Sequence, residues 1–221
     1  MIYTKFYELG DFDMREILRY AGSKEVGAVT ELARSCIAEA VPMCRGSVCW
    51  CEVDVGISSG EVDLSFAKTD SRALAKNLGG CRRAVIFGAT VGLEADRLIK
   101  RYSRLDTARA VMLQAIGAER IEALCDAFCA DIEENVAERG LFTRPRFSPG
   151  YGDLPLEIQR DFVRVLDCRR KIGVTLNESL LMSPSKSVTA IIGLSDKPCG
   201  VTSGDCGYCG KRDCAYRKEE K

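Results

Sequence analysis

The chain has 221 residues, 46% hydrophobic and 29% charged, which is enough length and apolar content for one substantial core. Its 32 basic and 32 acidic residues cancel, so it has no overall field of the kind that draws a protein to nucleic acid or an anionic membrane. Histidine is absent, which removes the commonest general base and the commonest neutral metal ligand. The 12 cysteines in an otherwise ordinary composition suit thiols in a reducing cytosol, and a cytoplasmic location is expected. Met1-Ile2-Tyr3-Thr4-Lys5 leads into a charged segment and does not read as a signal peptide, and no apolar run is long enough to span a bilayer.

In chain order, residues 11–20 read as a short helix closed by Ala21-Gly22. A second helix over 24–40 carries the stripe Val26, Val29, Leu32, Ala33, Cys36 and Ile37, and Pro42 stops it. Residues 48–57 alternate and are rich in β-branched side chains, which predicts a strand. Residues 61–67 are its expected hairpin partner across Ser58-Ser59-Gly60. Residues 71–78 are helical up to Gly79-Gly80. The run Ala84-Val85-Ile86-Phe87 within 83–91 predicts a central strand. From Gly92 the pattern is helical to about Ser103, then again to Gly140, with Ile121, Leu124, Cys125, Phe128 and Ile132 as the buried stripe. A helix over 156–168 and a strand over 188–194 complete the ordered part. Strands and helices mix without strict alternation, so the expected fold is α+β, a mixed, largely antiparallel sheet packed with helices. The expected organisation is one domain over 1–196 and a Cys-rich tail over 197–221.

Residues 144–155 interrupt this pattern. Arg144-Pro145-Arg146-Phe147-Ser148-Pro149-Gly150-Tyr151-Gly152-Asp153-Leu154-Pro155 holds too many prolines and glycines for a helix or a central strand. It must be a loop of fixed shape, either a ligand loop or a rigid turn with solvated arginines.

The Arg-x-x-Pro-Gly-Tyr order within this loop is followed by an amphipathic helix. Then come Ile172-Gly173-Val174-Thr175-Leu176-Asn177-Glu178-Ser179 and the Met182-x-Pro184-x-x-Ser187-Val188 run. Together with 121–128 on the long helix, this order resembles the activation domain of cobalamin-dependent methionine synthase over roughly residues 80–194. The resemblance implies a site for S-adenosylmethionine in a cleft between the 144–155 loop and the long helix. In it, Arg146 takes the ligand's carboxylate, Asp126 its ammonium, Ser148 a main-chain contact and Tyr151 a ring contact. Asp126 stands where the family usually has glutamate. The segment carrying a further aromatic pair in the family is here replaced by the Cys-rich tail. The plainer roles for the same side chains are a surface salt bridge for Arg146, a helix-face carboxylate for Asp126 and a packed ring for Tyr151.

The resemblance further implies a reactivation subunit, inactive in methionine synthesis alone. It would support reductive methylation of cob(II)alamin on a methionine synthase acting as partner in trans. Cobalamin would be carried by that partner, and the electron donor would be a protein such as flavodoxin or ferredoxin. The alternatives are an activation subunit for another corrinoid methyltransferase, and a metal-binding interaction protein built on the cysteine tail.

In that tail, Cys206-x-x-Cys209 and Cys209-x4-Cys214, with Cys199 upstream, are spaced for thiolates converging on one metal centre, either an iron–sulfur cluster or zinc. Metal analysis and a visible absorption spectrum of anaerobically purified protein should show iron or zinc, lost in a Cys206→Ser/Cys209→Ser variant. Neither metal above background in the parent protein would leave the tail a run of free thiols.

Overall fold

The computed structural model describes residues 1–23 and 27–198. The first strand, β1 (Tyr3–Tyr7), has no counterpart in the sequence reading, because its side chains alternate without an apolar face. Next comes α1 (Met14–Tyr20), whose N-cap Asp13 accepts from the backbone N–H of Arg15 and Glu16. After it, α2 (Gly27–Ala40) runs into a 3-10 turn, Val41–Met43, at Pro42. The expected strand over 48–57 is divided into β2 (Gly46–Asp54) and β3 (Gly56–Ser58). β3, rather than the long strand, forms the hairpin with β4 (Glu61–Asp63), across Ser59 and Gly60 at φ 51° and 87°. The short β5 (Lys68–Thr69) extends that small sheet.

After α3 (Arg72–Asn77) comes β6 (Arg83–Thr90), then α4 (Leu93–Leu105) and the 31-residue α5 (Thr107–Ala137). β7 (Phe142–Thr143) leads into the constrained loop. The expected helix over 156–168 is broken into a 3-10 turn, α6 (Gln159–Val165) and α7 (Cys168–Ile172), because Asp167 takes a left-handed conformation at φ 46°. β8 (Thr175–Leu176) pairs with β9 (Met182–Ser183), and β10 (Ser187–Ser195) closes the described chain.

The main sheet has the order β1-β2-β6-β10-β7, all antiparallel, with β6 at its centre as its apolar run requires. The α+β expectation holds. Alternation along the strands sorts side chains between two layers. Val48, Val85, Phe87, Ala89, Ala190 and Ile192 face α5, where they meet Ile121, Leu124, Phe128 and Ile132. Cys49, Cys51, Ile86 and Ile191 face the other way, onto α3, α6 and α7. The N-terminal half of α5 leaves the sheet and builds a third cluster with α1, α2 and α4 through Leu113, Ile116, Ile17, Ala33, Cys36 and Ile99. Among the described residues no helix is long and apolar enough to cross a membrane.

At the junction of these clusters, α5 buries a charged pair. Arg120 and Glu119 have side chains only 2% and 5% exposed and lie 2.5 Å apart. Arg120 donates to the carbonyls of Gly10 at 2.7 Å and Asp11 at 2.9 Å, and its guanidinium stacks 3.9 Å from the Phe12 ring centroid. Glu119 accepts from the Asp13 amide at 3.1 Å. The pair therefore clamps the β1–α1 connection to the middle of the long helix. Removing one member of a buried pair leaves the other uncompensated, at a cost of about 3–5 kcal/mol. Arg120→Met should lower the urea midpoint accordingly. A change below about 1 kcal/mol would show that the clamp contributes little.

Candidate functional site

The 144–155 loop is fastened at several points. Arg144 N and Gly193 O are 2.8 Å apart, and Phe147 exchanges backbone bonds with Ile191 at 2.9 and 2.8 Å, so the loop's first half follows β10. Asn77 on α3 donates to Pro145 O at 3.0 Å. Further on, the Asp153 carboxylate caps α3, accepting from Ser71 Oγ at 2.5 Å, Arg72 N at 2.9 Å and Ala73 N at 3.1 Å. Gly152, at φ +56°, passes so close to α3 that an added Cβ would stand 3.0 Å from Ala73 Cβ. The turn between is internally bonded: Tyr151 N donates to Ser148 O at 3.1 Å, and Gly150 N to Leu154 O at 3.0 Å.

This frame sets Arg146 against the face of α5. Its Nη1 donates to Asp126 Oδ1 at 2.7 Å and its Nη2 to Glu122 Oε2 at 2.5 Å. Glu122 and Asp126 are four residues apart, so they share one helix face. Arg146 is 22% exposed, Glu122 39% and Asp126 60%, which makes Glu122 the better sheltered of the two carboxylates. Burial works against the Arg146 charge. The neighbouring Cys125, Glu122, Asp126 and Cys129 outweigh it and hold its pKa above the ordinary arginine value. Tyr151 projects outward, 61% exposed, with its ring edge-on to Phe147 at 6.5 Å.

The structure brings Arg146 and Asp126 into contact, and Ser148 and Tyr151 lie on the same loop as Arg146. Ser148 is engaged through its carbonyl. Glu122 was missed, although its i,i+4 relation to Asp126 on a predicted helix was visible. Cys199, Cys206, Cys209 and Cys214 lie outside the described residues. Among the described residues no group of three or more cysteine, aspartate or glutamate side chains is arranged to hold a metal ion.

The segment around residues 182–188 is also held. Ser185 donates through its amide at 2.7 Å and its hydroxyl at 2.6 Å to Asp96 on α4. Gln159 on α6 donates to Leu180 O at 2.9 Å and lies 3.4 Å from Thr189 Oγ1.

Residues 75–219 match the model of the family described as vitamin B12 dependent methionine synthase, activation domain. No curated protein matches the sequence. Among solved structures, the chain is similar to one described as the MetH reactivation domain bound to AdoHcy. The TM-score is 0.63 at 15% identity, covering 87% of this chain and 78% of that one.

The Asp153 cap carries a pH signature. Its hydrogen bond from Ser71, together with the Ala73 and Arg72 amides, outweighs slight desolvation and holds the carboxyl below its usual range. A depressed folded-state pKa contributes stability above the unfolded value, about 3.9, and that contribution is lost as pH falls through the depressed value. Asp153→Asn should therefore be less stable than the parent at neutral pH, with the gap closing on acidification below about pH 4. A gap independent of pH would remove the carboxylate charge from the cap.

Proposed function

This chain belongs to the family of vitamin B12-dependent methionine synthase activation domains, and from that membership we propose that it binds S-adenosylmethionine and supports reductive methylation of cob(II)alamin held by a partner methionine synthase. The observation that carries the reading is Arg146 held opposite Glu122 and Asp126. A guanidinium fork facing two carboxylates is the complement of an α-amino acid head group, which brings one carboxylate and one ammonium. The solved structure of similar fold is described as bound to AdoHcy, a ligand with the same head group.

Binding is then an exchange of ion pairs. The ligand's carboxylate takes the Arg146 fork, and its ammonium takes Glu122, with Asp126 beside it. The internal pairs are partly exposed, and such pairs contribute only about 0–1 kcal/mol each, so opening them costs little. The Ser148 main chain lines the adenosyl side. Tyr151 lays its ring against the sulfonium, an attraction of about 1 kcal/mol. Methyl transfer to a metal nucleophile moves no proton at the donor, so a site without histidine suffices, and these residues act by holding and aiming the methyl group. The corrinoid on the partner supplies the cobalt that receives the methyl. A one-electron donor such as flavodoxin or ferredoxin balances the reduction.

Calorimetric titration with S-adenosylmethionine should show binding, and Arg146→Ala should weaken it by roughly tenfold or more, about 1.4 kcal/mol per decade. In a mixture with a corrinoid-loaded methionine synthase lacking this module, a reductant and methyl-labelled S-adenosylmethionine, the chain should speed label transfer to cobalt. Equal transfer without it would rule out the reactivation role. Undiminished affinity in Arg146→Ala would remove Arg146 from the site.

A further inference from the structure

On the face of the sheet away from α5, two thiols meet. Cys49 on β2 and Cys168 at the start of α7 are each 0% exposed, and their sulfurs are 3.7 Å apart. They are 119 residues apart in sequence. Gly88, the register partner of Cys49 on β6, leaves room for the contact, since an added Cβ there would stand 2.9 Å from Cys168 Sγ and 3.6 Å from Cys49 Sγ. Two buried thiols at van der Waals contact are one bond short of a covalent link.

We propose that Cys49 and Cys168 form a redox-active pair that a peroxide converts to a disulfide, pinning α7 to the central sheet. A disulfide needs its sulfurs at about 2.05 Å, so the contact must close by roughly 1.6 Å. α7 has five residues and is flanked by left-handed Asp167 at φ 46° and Gly173 at φ 71°, so it is joined to its neighbours at two turns. The burial of both sulfurs restricts the oxidant to a small neutral molecule such as hydrogen peroxide.

Either sulfur can donate to the other, and the one that accepts is the attacking group. Hydrogen bonds from the Cys168 thiol and the Gly88 amide, with Lys171 nearby, outweigh burial and lower the pKa of Cys49. The Cys168 thiol is pushed up, by donating to Cys49 and by burial. By contrast Cys36, Cys44, Cys51, Cys125 and Cys129 are all raised, with burial as the leading cause. The attacking thiolate, Cys49 where Cys168 is the donor, displaces hydroxide from the peroxide, breaking the O–O bond and leaving a sulfenic acid; the hydroxide takes up the proton the thiol gave up and departs as the first water. Cys168 then attacks that sulfur, its proton leaves with the hydroxyl as a second water, and the S–S bond forms. Two thiols have given up two electrons and peroxide has accepted them.

The proposal is independent of the S-adenosylmethionine site. The test uses the folded full chain, treated with increasing hydrogen peroxide, quenched by acid and alkylated under denaturing, non-reducing conditions. Peptide mapping by mass spectrometry should show a Cys49–Cys168 linked peptide that thiol reductant resolves. In Cys168→Ala, Cys49 should instead be trapped by dimedone as the sulfenic acid. The result from the unaltered chain stands whether or not that variant folds. Full alkylation of both cysteines at the dose that has consumed half of the chain's thiols would overturn the proposal, as would no loss of thiols at any dose.

Discussion

Everything in this molecule hangs on α5, a single helix that must serve two hydrophobic cores at once. Its C-terminal half covers the sheet and its N-terminal half gathers α1, α2 and α4. The buried Glu119–Arg120 pair sits where those duties change over. It spends charge on three backbone groups of the β1–α1 connection, so the N-terminal segment is fixed relative to the sheet. A buried pair rarely adds net stability over an apolar substitute, and its use here is specificity of placement.

The candidate site inherits this rigidity from two directions. Glu122 and Asp126 are carried by α5 within the two turns that follow the clamp. Arg146 comes from a loop anchored to α3 by Asp153 and Asn77, and to β10 by backbone bonds. Neither side of the site depends on the other for its position, so the facing charges are preorganised. Tyr20 on α1 lies close enough to Glu122 for that carboxylate to help raise its pKa, after burial, which brings the clamped N-terminal segment to the edge of the same site.

Much of this was legible in the sequence because strong periodic signals act locally. The apolar run at 84–87 reads as a central strand, and the stripe from Ile121 to Ile132 as a face turned to a core. The proline and glycine spacing of 144–155 announced a rigid loop. What escaped had tertiary causes. β1 has no apolar face to read, and it is held by pairing with β2 and by Asp131 on α5, which accepts from Lys5 and Tyr7. The break between α6 and α7 comes from a left-handed aspartate, a conformation that no residue pattern there predicts. Glu122 was hidden because a glutamate on a helix beside an apolar stripe is ordinarily just solvated.

The charge count of the site has a directional consequence. One guanidinium and two carboxylates leave Arg146, Glu122 and Asp126 with a surplus negative charge. On the function proposed above, an incoming sulfonium ligand with a zwitterionic head neutralises that surplus. Donating its methyl group turns the sulfonium into a neutral thioether, and the surplus reappears in a half-sheltered site. Electrostatics therefore favour the charged methyl donor over the spent one, so the turnover that uses the ligand also loosens it.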